Sequence, residues 1–332
     1  MIHVQNVSKE FKVRIVEPGF LGSVKGLFFN KTQLKTAVDD VSFQISAGEI
    51  VGYIGSNGAG KSTTIKMLSG ILTPTTGSIL LNGLNPNKDR KKNASQIGAV
   101  FGQRSQLWWD LPTVESFNIL RHIYGVEKQV FNERMDFFKD IFSLDEFILQ
   151  PVRTLSLGQR MKADLVASML HNPKILFLDE PTIGLDLVSK DNLRSCIKIL
   201  NERYGTTILI TTHDMSDIEM LCRRILLIDN GTIIYDGNID NLRNQFRIDS
   251  IIELEFENDF EPEQKDLQIL FPNRILTIQK EGEKYVISHN NFDIDSSTIL
   301  TKLFGKWDIK KMAIKEPKVE DFIKKLYLGN LK

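Results

Sequence analysis

The stretch EIVGYIGSNGAGKSTTIKMLSGIL limits what this chain can fold into more than any other. It runs from an apolar strand through a glycine-rich loop into a helix, and GSNGAGKS fits the pattern G-x-x-x-x-G-K-[ST]. Glycines at Gly55, Gly58 and Gly60 let successive backbone N–H groups of Ser56, Asn57, Ala59 and their neighbours turn inward without Cβ clashes. The following helix, entered at Lys61, Ser62 and Thr63, adds the partial positive charge of its N-terminus. Such a loop suits a phosphate chain. Lys61 is placed to reach β- and γ-phosphates and Ser62 to offer a hydroxyl to Mg²⁺, so the motif implies a bound nucleoside triphosphate.

Further groups narrow the chemistry. KILFLDEP puts Asp179 and Glu180 at the C-terminal end of an apolar strand, where ligands of open parallel sheets bind. Asp179 suits the magnesium shell and Glu180 the polarising of an attacking water. Gln103, in VFGQRSQ, ends another strand with an amide able to meet both the cation and the water, and His213 ends TTILITTH within reach of a γ-phosphate. PTIGLD, closing at Asp186, follows the acids directly. LSLGQR, residues 155–160, has no acid, histidine or cysteine, and taken alone reads as a helix entry with Ser156 as N-cap and Gly158 easing the turn.

Together, GSNGAGKST, Gln103, LSLGQR, ILFLDE, GLD and His213 resemble, in order and context, the ATPase domains of ABC transporters, over roughly residues 1–240. The resemblance implies a phosphate-loop α/β fold: a mostly parallel core sheet, an antiparallel β subdomain, and a helical subdomain at about 104–170. It implies ATP and Mg²⁺ as cofactors, and a second ATPase subunit, identical or related. In that family the signature run, here Ser156, Leu157, Gly158 and Gln159, acts with Asp186 on the nucleotide held by the neighbouring subunit. Leu157 stands where glycine is usual; it offers the same N–H with less backbone freedom. Phe11 matches the aromatic that stacks on adenine, with a π face but no hydroxyl.

The resemblance also implies integral membrane permease subunits and a peripheral position on the cytoplasmic face of the membrane. NGAGKSTTIKMLSGILTPTTG and TTHDMSDIEMLCRRILLIDNGTIIYDG are similar to the drug- and antibiotic-efflux branch. FGQRSQLWWDLP and VRTLSLGQRMKADL resemble a poorly characterised bacterial transport subgroup. Export is therefore the expected direction, with an importer ATPase as the alternative. A chromosome-maintenance ATPase would need a long coiled coil between Lys61 and Asp179, and a translation-factor ATPase a second phosphate loop; neither is in the sequence.

Composition fits this reading. Lys+Arg and Asp+Glu both total 42, so no net charge argues for a nucleic-acid partner. MIHVQNVSKE lacks the apolar core of a secretory signal, and no apolar run is long enough to span a bilayer. Cys196 and Cys222 lie in apolar, helix-like surroundings without ligand spacing and are expected to be buried thiols. A length of 332 residues suggests more than one core. Composition shifts after about Asn244, so residues 1–244 are expected to form the ATPase domain and 245–332 a small α+β accessory domain. Within 13–35, Phe20, Leu21, Val24, Leu27 and Phe28 fall on one helical face with Lys25, Lys31 and Lys35 lending basic character, which suggests an inserted amphipathic helix either packed on its own domain or docked on a partner or bilayer surface.

Overall fold

The computed structural model describes residues 1–14, 32–102, 104–246, 249–256, 260–289, 293–317 and 319–327. The expected apolar helix at 20–28 and Gln103 lie outside them. The chain divides into two compact units, Met1–Gly237 and Asn238–Lys332. The division falls a few residues before the expected 244, since helix α8 (Ile239–Phe246) is grouped with the second unit.

The first unit is organised by a six-stranded sheet of order β5-β6-β7-β3-β8-β9. Its strands are β3 (Ile50–Gly55), β5 (Ile97–Phe101), β6 (Ile175–Asp179), β7 (Thr207–Thr211), β8 (Arg224–Asp229) and β9 (Thr232–Asn238). From β5 to β8 every neighbouring pair is parallel. Parallel strands need crossovers on both faces, which is why ILFLD and TILIT are continuous apolar runs rather than alternating ones. Helices α1 (Lys61–Leu68), α6 (Leu187–Tyr204) and α7 (Met215–Leu221) supply crossovers. The result puts the C-terminal ends of β3, β6 and β7 side by side.

A second, antiparallel sheet has the order β2-β1-β4, from β1 (Ile2–Arg14), β2 (Thr32–Ile45) and β4 (Thr76–Leu81). Its alternating apolar residues Ile2, Val4, Val41 and Phe43 share one core with Ile65 and Leu68 of α1 and with Phe177, Leu226 and Ile228 of the parallel sheet. Each such side chain contributes about 1.5–3 kcal/mol of burial. Gly77, at φ +82°, is required where the strands meet: a Cβ there would lie 2.2 Å from the Asn6 carbonyl oxygen. A short helix, α2 (Arg90–Ala94), precedes β5.

Between β5 and β6 the chain becomes helical, as its periodicity suggested: α3 (Thr113–Tyr124), α4 (Lys128–Phe142), two 3₁₀ turns and α5 (Leu157–Met169). Phe117, Phe138, Phe142 and Phe147 are buried here, with the Phe138 and Phe142 rings edge to face. Cys196 and Cys222 are buried and free; burial pushes the Cys196 thiol up to about 11 and raises Cys222 further.

In the second unit, β11 (Leu276–Glu281), β12 (Lys284–His289), β10 (Ser250–Phe256) and β13 (Ile309–Lys315) form an antiparallel sheet in that order. Ile252, Leu254, Tyr285 and Ile287 share a core with Leu267 of α9 (Gln264–Leu270), Ile299 and Leu303 of α10 (Ser296–Phe304) and Trp307. The alternate residues Glu253 and Glu255 instead pair with Lys284, Lys311 and Lys315. A last helix, α11 (Val319–Tyr327), packs on α8.

Candidate functional site

The site grows from the end of β3. Gly55 is packed so closely that a Cβ would lie 2.5 Å from the Ile228 carbonyl oxygen. Gly60, at φ +111°, would put one 2.5 Å from the Ala37 carbonyl oxygen. Gly60 is also the N-cap of α1 and provides no side-chain cap, so among the described residues no cap side chain takes up the first-turn N–H groups of this helix. Lys61 is almost fully buried; its Nζ donates to the carbonyls of Gly55 at 2.7 Å and Ser56 at 3.1 Å. Burial lowers its pKa, and the nearby Glu180 and Asp179 carboxylates act against that lowering.

Both acids stand at the end of β6. The Asp179 Oδ1 accepts from Thr211 Oγ1 at 2.6 Å and from Ser62 Oγ at 3.3 Å, which brings the two expected cation ligands into one cluster of hard oxygen donors. Glu180 has φ +54°, a left-handed conformation that non-glycine residues adopt only when their surroundings hold them there. Its N–H donates to the Thr211 carbonyl at 2.9 Å and is 3.1 Å from Thr211 Oγ1. Its Oε2 lies 3.6 Å from His213 Nδ1, and the imidazole is mostly exposed. Gly102, just before Gln103, donates to the Asp179 carbonyl at 2.9 Å, so the chain reaches the acidic strand end at that point.

A cleft of about 420 Å³ gathers these groups: Asn57, Gly58, Gly60, Lys61, Ser62, Thr63 and Glu180 on one side, and Phe11, Val13, Lys35, Thr36 and Ala37 on the other. Phe11 pairs with Lys35 across β1 and β2, and the Lys9 ammonium lies 5.4 Å from the Phe11 ring centroid. Sequence reasoning missed Val13 and Lys35–Ala37, because the register that sets them beside Phe11 depends on pairing across residues 15–31. An apolar ring, cations and a glycine-rich loop around a cleft that Glu180 lines, with Asp179 bonded to the Ser62 that also lines it, form a geometry suited to a phosphate chain.

The signature run is built elsewhere. Ser156 is the N-cap of α5: its Oγ accepts from Gln159 N–H at 3.2 Å while Gln159 Oε1 accepts from Ser156 N–H at 3.0 Å, a complete capping box. Gly158 faces Ser189, whose Oγ would lie 3.1 Å from an added Cβ, and Leu157 Cδ2 lies 3.0 Å from the Cβ position of Gly184. Asp186 caps α6 by accepting from Ser189 N–H at 3.0 Å and Ser189 Oγ at 2.6 Å, and these bonds hold its carboxyl below the usual range. None of Ser156, Leu157, Gly158, Gln159 or Asp186 is among the described residues that line the cleft. Asp164, one helical face further along α5, accepts at Oδ1 from Ser105 Oγ at 2.9 Å and Gln106 N–H at 3.0 Å; burial pushes its carboxyl up to about 6.

A mostly parallel sheet whose strand β3 feeds a glycine loop onto a helix, with two acids at the end of β6 two strands away, defines a phosphate-loop nucleotide-binding cassette. Residues 38–183 match the model of the family described as ABC transporter. The chain is 31% identical over 224 residues to the ABC transporter ATP-binding protein NatA of Bacillus subtilis, covering 68% of this chain and 91% of that one. It is 34% identical to the linearmycin resistance ATP-binding protein LnrL of the same organism, covering 66% of this chain and 70% of that one. The structure of an ATP-binding subunit of an ABC transporter superposes with a TM-score of 0.61 at 25% identity, covering 74% of this chain and 92% of that one. A dimeric structure of MJ0796, a bacterial ABC transporter cassette, gives 0.59 at 25% identity, with 72% and 98% covered. The chain belongs to the ATP-binding subunits of ABC transporters, a family of ATPases.

Proposed function

We propose that this chain hydrolyses ATP with Mg²⁺ as half of a two-subunit ATPase, and that hydrolysis energises export through separate membrane-spanning subunits. The observation that carries the reading is the acidic pair at the end of β6, with Asp179 bonded to Ser62 and Glu180 lining the cleft of Lys61. The N–H groups of Gly55–Gly60 and the uncapped start of α1 hold the phosphates, and Lys61 supplies the cation between β and γ. When bound, Mg²⁺ supplies neutralising charge at the phosphate oxygens, and the donors suited to it are Ser62 and Asp179, joined by the Gln103 amide. Glu180 orients the attacking water as general base, and His213 contacts the γ-phosphate while steadying the Glu180 carboxylate. Phe11 stacks on the adenine.

The second subunit completes each site with its own Ser156, Leu157, Gly158, Gln159 and Asp186, which in this chain stay outside the cleft. The dimeric state of the MJ0796 cassette supports this arrangement. Export is supported by the names of relatives, among them LnrL and the probable multidrug ABC transporter ATP-binding protein YbhF of Escherichia coli, 35% identical over 209 residues. No described helix is long and apolar enough to cross a membrane, which fits a subunit bound to the cytoplasmic face by its permease. Pull-down of the full chain from its own membranes is expected to retain an integral membrane protein, and disruption of the gene to raise cellular sensitivity to a toxic compound. Retention of no membrane protein would sink the transport assignment; an uptake defect alone would reverse the direction.

A further inference from the structure

We infer that Asp217 is a positioning residue for Glu180 and His213, acting through the hydroxyls of Thr182 and Thr212. The inference rests on the roles proposed for Glu180 and His213.

Asp217 is fully buried on α7, and its two oxygens have separate tasks. Oδ1 accepts from the Arg194 guanidinium, with Nε at 2.7 Å and Nη2 at 2.5 Å. Oδ2 accepts from Thr182 Oγ1 at 2.5 Å and from Thr212 Oγ1 at 2.8 Å. Thr182 lies two residues after Glu180 and Thr212 one residue before His213; both are buried. One oxygen therefore fastens together the two loops that carry the reacting side chains.

Arg194 keeps that oxygen from rotating. Besides Asp217 it donates to Asp191 at 2.8 Å and Ser216 Oγ at 2.6 Å, with Asp214 at 3.8 Å. Asp214 in turn pairs with Lys190 at 2.5 Å, so α6 and α7 are joined on both sides of the carboxylate. A buried ion pair is weak evidence for stability, because desolvation offsets much of the attraction; its better-attested use is to fix registry. The registry here is the 3.6 Å approach of Glu180 Oε2 to His213 Nδ1. Glu180 also needs it more than most residues, since its backbone at φ +54° relaxes unless the following turn is pinned. Thr182 is the pin.

Valine copies threonine's shape without the hydroxyl, and serine keeps the hydroxyl. In the assembled transporter, Thr182→Val and Thr212→Val are each expected to lower kcat for ATP hydrolysis about tenfold or more, with the Kd of a fluorescent ATP analogue unchanged. Thr182→Ser and Thr212→Ser are expected to keep most of the activity. Folded valine variants with parental kcat, or serine variants as impaired as the valine ones, would overturn the inference. Thr182→Ala and Thr212→Ala serve if the valine variants do not fold. Each removes the same hydroxyl without a bulky replacement, so a folded alanine variant is expected to lower kcat about tenfold with the Kd of the ATP analogue unchanged, and a folded one with parental kcat contradicts the role. Glu180→Gln runs beside them. If it is inactive while the valine variants are parental, this inference alone fails; if it is active, the role of Glu180 fails first and carries this one with it.

Discussion

Helices α1 and α5 both begin at a glycine-bearing turn, yet their first turns are finished in opposite ways. The start of α1 has Gly60 as N-cap, without a side-chain cap, over a cleft that also holds Lys61 and Glu180. The start of α5 is closed by a reciprocal capping box between Ser156 and Gln159 and lies outside that cleft. An uncapped helix start beside a lysine is a cradle for an anion. A capped start retains the hydroxyl hydrogen of its serine and the peptide edge of Leu157 and Gly158, which suits it to close over a phosphate held by something else. The difference teaches that the two helix starts are finished for different tasks, and on the proposed reading one chain carries two half-sites of unequal completeness.

The largest expected effect falls on the first half-site. Glu180→Gln keeps size and hydrogen bonding but removes the base, so hydrolysis should drop by about 10²-fold or more while ATP affinity stays near parental. Lys61→Ala removes a charge-assisted phosphate contact of about 1.5–3 kcal/mol and should weaken ATP binding itself roughly tenfold to a hundredfold. Steady-state hydrolysis and equilibrium nucleotide binding separate the two. A Glu180→Gln protein at the parental rate would break the assignment of the acidic pair.

The second half-site should respond more mildly in folding and differently in activity. Ser156→Ala removes a helix cap and should cost about 1 kcal/mol in denaturant unfolding. Ser156→Asp keeps a capping oxygen, so stability should stay close to parental, yet it brings a negative charge toward the neighbour's phosphate and should impair hydrolysis. Equal loss of activity and of stability in both variants would mean that Ser156 serves the helix alone.

How legible these half-sites are in the sequence follows from the range of the interactions. The phosphate loop, the acids after ILFL and Ser156 as the N-cap of a helix are set by residues within a few positions of each other, so the local sequence exposes them; the reciprocal bond from Gln159 is seen only in the structure. The apolar runs of β6 and β7 announce a sheet covered on both faces for the same reason. Lys35, Thr36 and Ala37 reach the cleft only through the pairing of β2 with β1, a register that no local pattern encodes. Asp217 and Arg194 belong to no motif; their meaning lies in bonds to Thr182 and Thr212, which separate loops bring to one oxygen. The boundary at Gly237 rather than 244 has a similar origin, because α8 is amphipathic and packs on α11 far along the chain.

The central claim is that LSLGQR serves the nucleotide of the neighbouring subunit, and mixing two defective chains tests it most directly. A Lys61→Ala dimer and a Ser156→Arg dimer each have two damaged sites, since a two-fold interface repeats every defect. In the mixed dimer of the assembled transporter both defects fall in one site, leaving the other with an intact lysine facing an intact serine. ATPase activity of isolated heterodimers, compared with each mutant dimer and with a dimer carrying both substitutions on one chain, is the measurement. Recovery of activity in the heterodimer is the expected result. Verified heterodimers that stay as inactive as the two parents, while the dimer with both substitutions on one chain and none on the other turns over ATP, would contradict the claim and assign LSLGQR to its own chain's nucleotide.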